Sequence, residues 1–262
     1  MEFVRPVILV AAAASLAIAQ QAPQAPPQTQ LKATKGGISK AEADGYNAIV
    51  KAKSPDEVMK AADEFATKFA DSQFKGRALA TAAEAADQKG DFQKAIIYGE
   101  EALKADPSIF EAKILVAGEI AGHTRENDLD KDEKLAKAEK YVKEALAEMA
   151  VAPKPQPTVT DQQWEAFKKF ETAQGHLDLG LIAMAKKNRA QQVEEFKQAV
   201  EMSDPPNQVA MARLANAYNE VGKPDEALGV ITKLLAMSDL NPAVKNFAEQ
   251  EKARAEKAKG GK

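Results

Sequence analysis

The sequence contains no cysteine, only two histidines and few aromatic residues: one tryptophan, four tyrosines and ten phenylalanines. Without cysteine, the chain forms no disulfides, cysteine-ligated zinc sites or iron–sulfur clusters, and two histidines leave few soft ligands for other metals. We therefore predict neither a metal nor a cofactor. Because aromatic residues are scarce, small aliphatic side chains must build most of the core, which favours closely packed helices.

Neither sign of charge predominates in the chain. There are 36 lysines and arginines against 39 aspartates and glutamates, which gives a formal net charge of −3. A chain without a basic excess has no overall field to attract phosphate backbones or an anionic bilayer, so we expect no nucleic-acid partner. The composition, 45% hydrophobic and 29% charged, is typical of a globular protein.

The first 19 residues have the pattern of a secretory signal. Arg5 precedes an apolar run from Val7 to Ala19 that ends in small residues. The run is about 13 residues long, whereas a membrane-spanning helix needs roughly 20. We therefore predict a cleavable signal peptide at residues 1–19, a periplasmic or extracellular protein, and no membrane insertion once the signal is removed. The alternative is a retained N-terminal anchor that holds the chain in the periplasm.

Proline-rich segments divide the rest of the chain. Residues 20–38 are rich in proline and glutamine and lack an apolar period, so they predict a disordered linker. Residues 151–160 contain three prolines and predict a second linker. Residues 39–75 predict a leading helical hairpin, and residues 76–150 predict two repeats. Residues 161–240 predict a long helix with two further repeats, and residues 241–262 predict a capping helix with a charged tail.

A repeat with a period near 34 residues is the main internal pattern. From Gly76, small and apolar residues fall on one helical face until Gly90–Asp91 interrupts the pattern. A second amphipathic stretch follows and ends at Asp106–Pro107, because proline cannot continue a helix. The spacing predicts a helical hairpin over residues 76–107.

This arrangement resembles the tetratricopeptide repeat, which has small residues at repeat positions 8, 20 and 27 and proline at 32. Counted from Gly76, those positions hold Ala83, Ala95, Ala102 and Pro107. A second strong copy covers residues 209–235. Weaker copies start at Phe110, where the pattern requires an insertion near residues 122–132, and at Ala173. Two residues depart from the pattern: Gly99 at position 24 and Gln192 at position 20.

The resemblance implies an all-α fold, a right-handed superhelix of helical hairpins closed by a C-terminal capping helix. It also implies a non-catalytic scaffold or adaptor that binds a peptide or helix of another protein in a concave groove, and the signal pattern predicts that this scaffold acts in the cell envelope. The alternative is a self-associating structural subunit of an envelope assembly. We find no constellation of catalytic residues in the sequence, so we predict that the chain is not an enzyme.

In proteins of this family, the first helix of each pair lines the concave surface. Repeat positions carried over one by one predict these groove residues: Arg77, Thr81, Glu84, Asp87, Glu111, Ile114, Leu115, Gln174, Leu177, Asp178, Leu181, Met184, Arg213, Asn216, Asn219 and Glu220. The centre of this set is apolar and its ends are polar, which suits a segment with aliphatic anchors. Packing residues could equally occupy several of these positions.

Three aromatic residues spaced by three, Trp164, Phe167 and Phe170, lie on one side of a long helix predicted after the second linker. They either pack against the preceding hairpin or form a patch on which a partner docks.

Three other features have a chemical and a structural interpretation. Asp128–Asp132 has the oxygen spacing of a calcium loop, but Glu133 stands where that loop needs glycine. We therefore predict the acidic start of a helix, with Asp130 as its cap. His123 and His176 have no cysteine nearby, and we predict that both pack within the fold.

Overall fold

The structure is a computed structural model that describes residues 37–155 and 158–260. The predicted signal segment at 1–19 and the linker up to residue 36 lie outside the described residues. The described part is all α-helical, and its helices in chain order are α1 (Lys40–Lys51), α2 (Pro55–Lys68), α3 (Lys75–Gln88), α4 (Phe92–Ala105), α5 (Phe110–His123), α6 (Lys131–Val151), α7 (Asp161–Ala185), α8 (Arg189–Met202), α9 (Gln208–Glu220), α10 (Pro224–Leu235) and α11 (Pro242–Gly260).

The helices form five antiparallel hairpins followed by a final single helix. Each helix packs against the next in the chain, so the hairpins stack into a solenoid. The all-α solenoid of helical hairpins predicted from the sequence is thereby confirmed. In the described residues, no helix combines the length and the hydropathy needed to cross a membrane.

Short polar signals start and stop these helices. Ser54 accepts a hydrogen bond from the Glu57 backbone amide and so caps α2, with Pro55 in its first turn. Thr160 and Gln163 exchange side-chain and backbone hydrogen bonds at the start of α7, which forms a capping box.

Helices α3, α7 and α9 end in the same tight turn. In α3, the Gly90 amide donates to the Asp87 carbonyl and the Asp91 amide donates to the Ala86 carbonyl, the pattern of a Schellman motif. The residue at the centre of such a turn adopts positive φ. Gly90 and Gly222 fill this position after α3 and α9, but Lys187 fills it after α7, with φ of 60°.

Residues without long side chains allow the helices to cross closely. Ala83, Ala95 and Ala102 are completely buried in the α3–α4 hairpin and its neighbours. Gly99, which departs from the repeat pattern, lies against Val116 of α5, and a Cβ atom there would overlap the valine side chain. The departure at position 24 is therefore explained by the approach of α4 to α5.

The second departure, Gln192, belongs to a buried polar network. Its side-chain oxygen accepts a hydrogen bond from Arg189 at 2.9 Å, and its amide donates to Glu220 of α9 at 3.1 Å. Arg189 also forms an ion pair with Glu220. Gln192 can replace the usual small residue because both ends of its amide are hydrogen-bonded, which offsets the cost of burying it.

Candidate functional site

The first helices of successive hairpins form one wall of the solenoid. Helix α3 packs against α1 and α5, and α5 packs against α7, whereas within the described part no two second helices pack closely on each other. The side formed by first helices is therefore the shorter, inner side of the curve. We call the surface of α3, α5 and α7 on this side the inner wall.

An ion pair links α3 and α5 on the inner wall. Arg77 Nη1 lies 3.1 Å from Glu111 Oε1, and Glu111 has one further buried oxygen that accepts no hydrogen bond in the described structure. Glu84 lies further along α3, partly exposed. Burial, with a smaller effect from the charge of Glu111, raises the pKa of Glu84 to about 7, and Arg77 opposes this shift.

Helix α7 adds two more carboxyl groups to the inner wall. Burial raises the pKa of Glu171 to about 8, and the charges of Glu111, Glu84 and Asp178 act in the same direction. Because these charges come from all three helices, the stacked hairpins bring carboxyl groups from distant parts of the sequence close enough to interact electrostatically.

Asp178 is the most deeply buried of these carboxyl groups and is only 1% exposed. One carboxyl oxygen accepts a hydrogen bond from Gln174 at 3.0 Å, and the other has no hydrogen-bond partner in the described structure. Burial raises the pKa of Asp178 well above its usual range. The carboxyl lies against Gly118 of α5, where an added Cβ atom would come within 3.1 Å of it.

A further acidic pair lies beside Asp178. Burial raises the pKa of Glu119 to about 8, and a hydrogen bond with Asp87 and the charge of Asp178 contribute to the shift. His123 Nδ1 lies 3.2 Å from Glu119 Oε2, and the histidine ring stacks on the ring of Phe92. We call the full set of inner-wall carboxyl groups the acidic cluster; it consists of Glu84, Asp87, Glu111, Glu119, Glu171 and Asp178.

Ile114 and Leu177, predicted to line the apolar centre of the groove, are buried in the core instead. Ile114 packs with aromatic residues between α5 and α7, and Leu177 packs with Phe196 and Leu214. Both are buried because their helix positions point toward the neighbouring hairpin. Leu181 is half-buried against the same cores, and Met184 is half-buried outside them.

Three predicted groove residues in the last hairpin contact the capping helix. Asn216 and Asn219 donate hydrogen bonds to the Glu251 carboxylate at 2.9 and 2.8 Å, and Glu251 is only 7% exposed. Arg213 lies over the Phe247 ring of α11, and burial lowers its pKa. The prediction that these residues face a partner is therefore corrected, because α11 covers them.

The aromatic residues of α7 form core rather than a docking patch. Trp164 and Phe167 are 6% and 3% exposed, and their stacked rings lie in a cluster with Phe110. The patch is buried because α6 and α7 are longer than the other helices, at 21 and 25 residues, and enclose it. Phe170 is half-buried. Of the two interpretations, packing against the preceding hairpin is the correct one.

The remaining polar features are structural. Asp130 occupies the N-cap position of α6 but makes no capping hydrogen bond and instead pairs with Lys134 at 2.9 Å. His176 Nδ1 lies 2.8 Å from Glu195. Within residues 37–155 and 158–260, no group of three or more potential ligands has the geometry of a metal site.

Sequence reasoning missed two members of the acidic cluster. Glu171 precedes the start of the third repeat copy, and Glu119 occupies a repeat position that does not usually face a ligand. A usable signal existed, because Glu111 and Glu119 are eight residues apart and Glu171 and Asp178 are seven apart. Such spacings place each pair on one helix face.

Comparison with known proteins supports the fold and the repeat. The tetratricopeptide repeat family model matches residues 76–109. A thermophilic tetratricopeptide-repeat protein of Thermus thermophilus has a similar structure, with a TM-score of 0.53 at 17% identity over 75% of this chain and 90% of that chain. Residues 76–109 thus match the tetratricopeptide repeat, and the chain shares the fold of a solved tetratricopeptide-repeat protein.

Two further solved structures show weaker similarity. One is a MamA RS-1 double mutant, with a TM-score of 0.48 and 18% identity over 76% of this chain and 95% of that chain. The other is the assembly chaperone of RpL4 (Acl4), with a TM-score of 0.45 and 13% identity over 84% of this chain and 97% of that chain. No relative was found among curated proteins.

Proposed function

We propose that this chain is a non-catalytic scaffold or adaptor of the cell envelope that binds a segment of a partner protein on its inner wall. Proteins of this fold generally act by binding other proteins rather than by catalysis. The observation that carries the proposal is the row of partly exposed polar groups that α3, α5 and α7 present together. Polar groups left with unfilled hydrogen-bonding capacity at such a surface are suited to a ligand that supplies the missing partners.

The place of action is inferred from the sequence. The signal pattern at residues 1–19 supports export, and the proline-rich segment after it suits a tether between an export signal and a folded domain. Protease treatment of intact cells, spheroplasts and lysed cells tests the location. We expect digestion in spheroplasts but not in intact cells, and loss of this accessibility when residues 2–19 are deleted.

Site-specific photo-crosslinking tests binding on the inner wall. A photoreactive amino acid replaces Met184, which is half-buried on α7, or Ile97, which is 60% exposed on the second helix α4. We expect a discrete crosslinked product from position 184 and none from position 97. Products from position 97 alone, or from neither position, would contradict inner-wall binding. A product that contains two copies of this chain would support the self-associating subunit instead.

A further inference from the structure

We infer that the inner wall takes an extended, arginine- or lysine-bearing segment of its partner, with the basic side chains seated among the carboxyl groups of the acidic cluster. This inference rests on the proposed function and specifies the chemistry of the bound segment.

The distribution of charge is the first argument. Six carboxyl groups from three helices lie close together on the inner wall. The positive charge of Arg77 lowers the pKa of Glu84 and so counteracts the effect of the neighbouring carboxyl groups there. At Glu171, burial and all the neighbouring charges act in the same direction and disfavour the ionised form. A cation placed between these groups relieves their mutual repulsion, so the wall is complementary to positive charge.

Unfilled hydrogen-bonding capacity is the second and independent argument. Asp178 is 1% exposed, and one of its oxygens has no hydrogen-bond partner in the described structure; Glu111 likewise has a buried oxygen without one. Buried polar atoms without partners are uncommon, and each one costs free energy. Guanidinium and ammonium groups are donors only, and a guanidinium can span two carboxylate oxygens at once. An arginine beside these carboxyl groups would therefore favour their ionised form and supply the donors that they lack.

The length of the cluster favours a peptide over a small amine. Helices that pack side by side are about 10 Å apart, so a row that crosses α3, α5 and α7 is roughly 20 Å long. An extended chain advances about 3.3 Å per residue and needs about six residues to cover that distance. A single cation would satisfy only one part of the row.

The test compares labelled nine-residue peptides that alternate alanine with arginine, citrulline or glutamate, with arginine amide as a small-cation probe. Binding is measured by fluorescence anisotropy, and by competition for arginine amide. The variant E84Q/E171Q removes two charges from the inner wall. The matched control E101Q/E194Q removes two charges from exposed positions on the second helices α4 and α8.

We expect the arginine peptide to bind the wild-type protein and the control variant equally, and to bind E84Q/E171Q about tenfold more weakly. Its affinity should fall with added salt, because the contact is electrostatic. Equal binding of the citrulline or glutamate peptide, equal loss in the control variant, or arginine amide that competes as strongly as the peptide would each overturn the inference.

The pH dependence provides a further readout that a purely structural role would not show. Arginine stays charged throughout, so any change between pH 6 and pH 8.5 reports on the groups of the wall. These are Tyr46 of α1, Arg77, Glu84 and Asp87 of α3, Glu111, Glu119 and His123 of α5, and Glu171 and Asp178 of α7. Because the pKa values of Glu84 and Glu171 are raised to about 7 and about 8, affinity should increase with pH. Affinity that is flat or decreases would contradict the inference.

Failure of this inference is distinguishable from failure of the proposed function. If a partner crosslinks to position 184 through a segment without arginine or lysine, the proposed function stands and the basic ligand is excluded. If the inner wall gives no crosslink, the proposed function fails whatever the peptides do.

Discussion

The ring of Phe196 lies where a side chain on Gly180 would begin. A Cβ atom added at Gly180 would come closer to the ring carbons than non-bonded atoms approach, and the ring itself is completely buried. The two residues stand at repeat positions 8 and 24, where α7 crosses α8. A bulky residue on one helix is thus accommodated by the absence of a side chain on the other.

Replacement of Gly180 by alanine is therefore expected to destabilise the protein, although alanine is the better helix former. Overpacking of a tight crossing costs about 1 to 3 kcal/mol. Urea denaturation should show this loss. The matched control is Gly229→Ala on α10, where nothing lies within 4 Å of the new Cβ atom. It should be stabilising by about 0.5 to 1 kcal/mol. Equal effects at the two sites would contradict the crossing argument.

Lys187→Gly is expected to stabilise the protein. Lys187 has a φ of 60° in the turn after α7, a conformation that costs a residue with a side chain about 1 kcal/mol and glycine almost nothing. The substitution also removes an exposed ion pair with Glu126, which contributes little. The thermal midpoint should increase by a few degrees. The reciprocal change, Gly222→Lys after α9, should lower it; an increase there would show that the turn geometry is not limiting.

Glu171→Gln should change the pH dependence of stability. The folded protein keeps the Glu171 proton up to about pH 8, whereas the unfolded chain releases it near the usual value of 4.5. The folded state therefore binds more protons in this window, and the contribution of Glu171 to stability falls as the pH rises. Glutamine removes this dependence.

The expected gain for Glu171→Gln at pH 8.5 is about 1 to 2 kcal/mol after solvent screening, with little difference near pH 4.5. Denaturation across this pH range measures it. Glu165→Gln on the exposed face of α7 is the control, and it should leave the pH profile unchanged. A uniform gain at every pH would point to a packing effect instead of titration.

Glu251→Ala should loosen α11 from the solenoid. The substitution leaves the Asn216 amide without its buried acceptor, whereas the Asn219 amide loses the carboxylate but keeps a hydrogen bond to the backbone carbonyl of residue 251. It also removes a negative charge that favours the charged form of Arg213. We expect a loss of about 2 to 3 kcal/mol. Amide hydrogen exchange should increase most in residues 242–260. Glu256→Ala on the exposed side of α11 should change stability by less than about 0.5 kcal/mol. Equal exchange in both variants would remove the role assigned to Glu251.

Much of the fold follows from local sequence signals. Gly90–Asp91 and Asp106–Pro107 end helices because one supplies positive φ and the other removes a backbone donor. Small residues at fixed repeat positions then indicate where helices cross. These signals act within a few residues of one another, so a single sequence contains them in full.

The site depends on relationships that the sequence does not display. The acidic cluster exists because α3, α5 and α7, which are separated in the sequence, pack side by side and bring their carboxyl groups together. The extra turns of α6 and α7 enclose Trp164, which sequence spacing alone leaves free to point outward. Glu251 of α11 accepts hydrogen bonds from Asn216 and Asn219 of α9, a contact between distant parts of the sequence that no local signal indicates.

The final helix also limits how copies of this chain could join. By lying across α9 and α10 with Val244, Ala248 and Ala255 turned inward, it fills the surface on which another hairpin would otherwise continue the stack. Growth of a filament by head-to-tail addition is blocked at that terminus. A self-associating assembly of this chain would therefore have to use another surface, such as the inner wall or the end formed by α1 and α2.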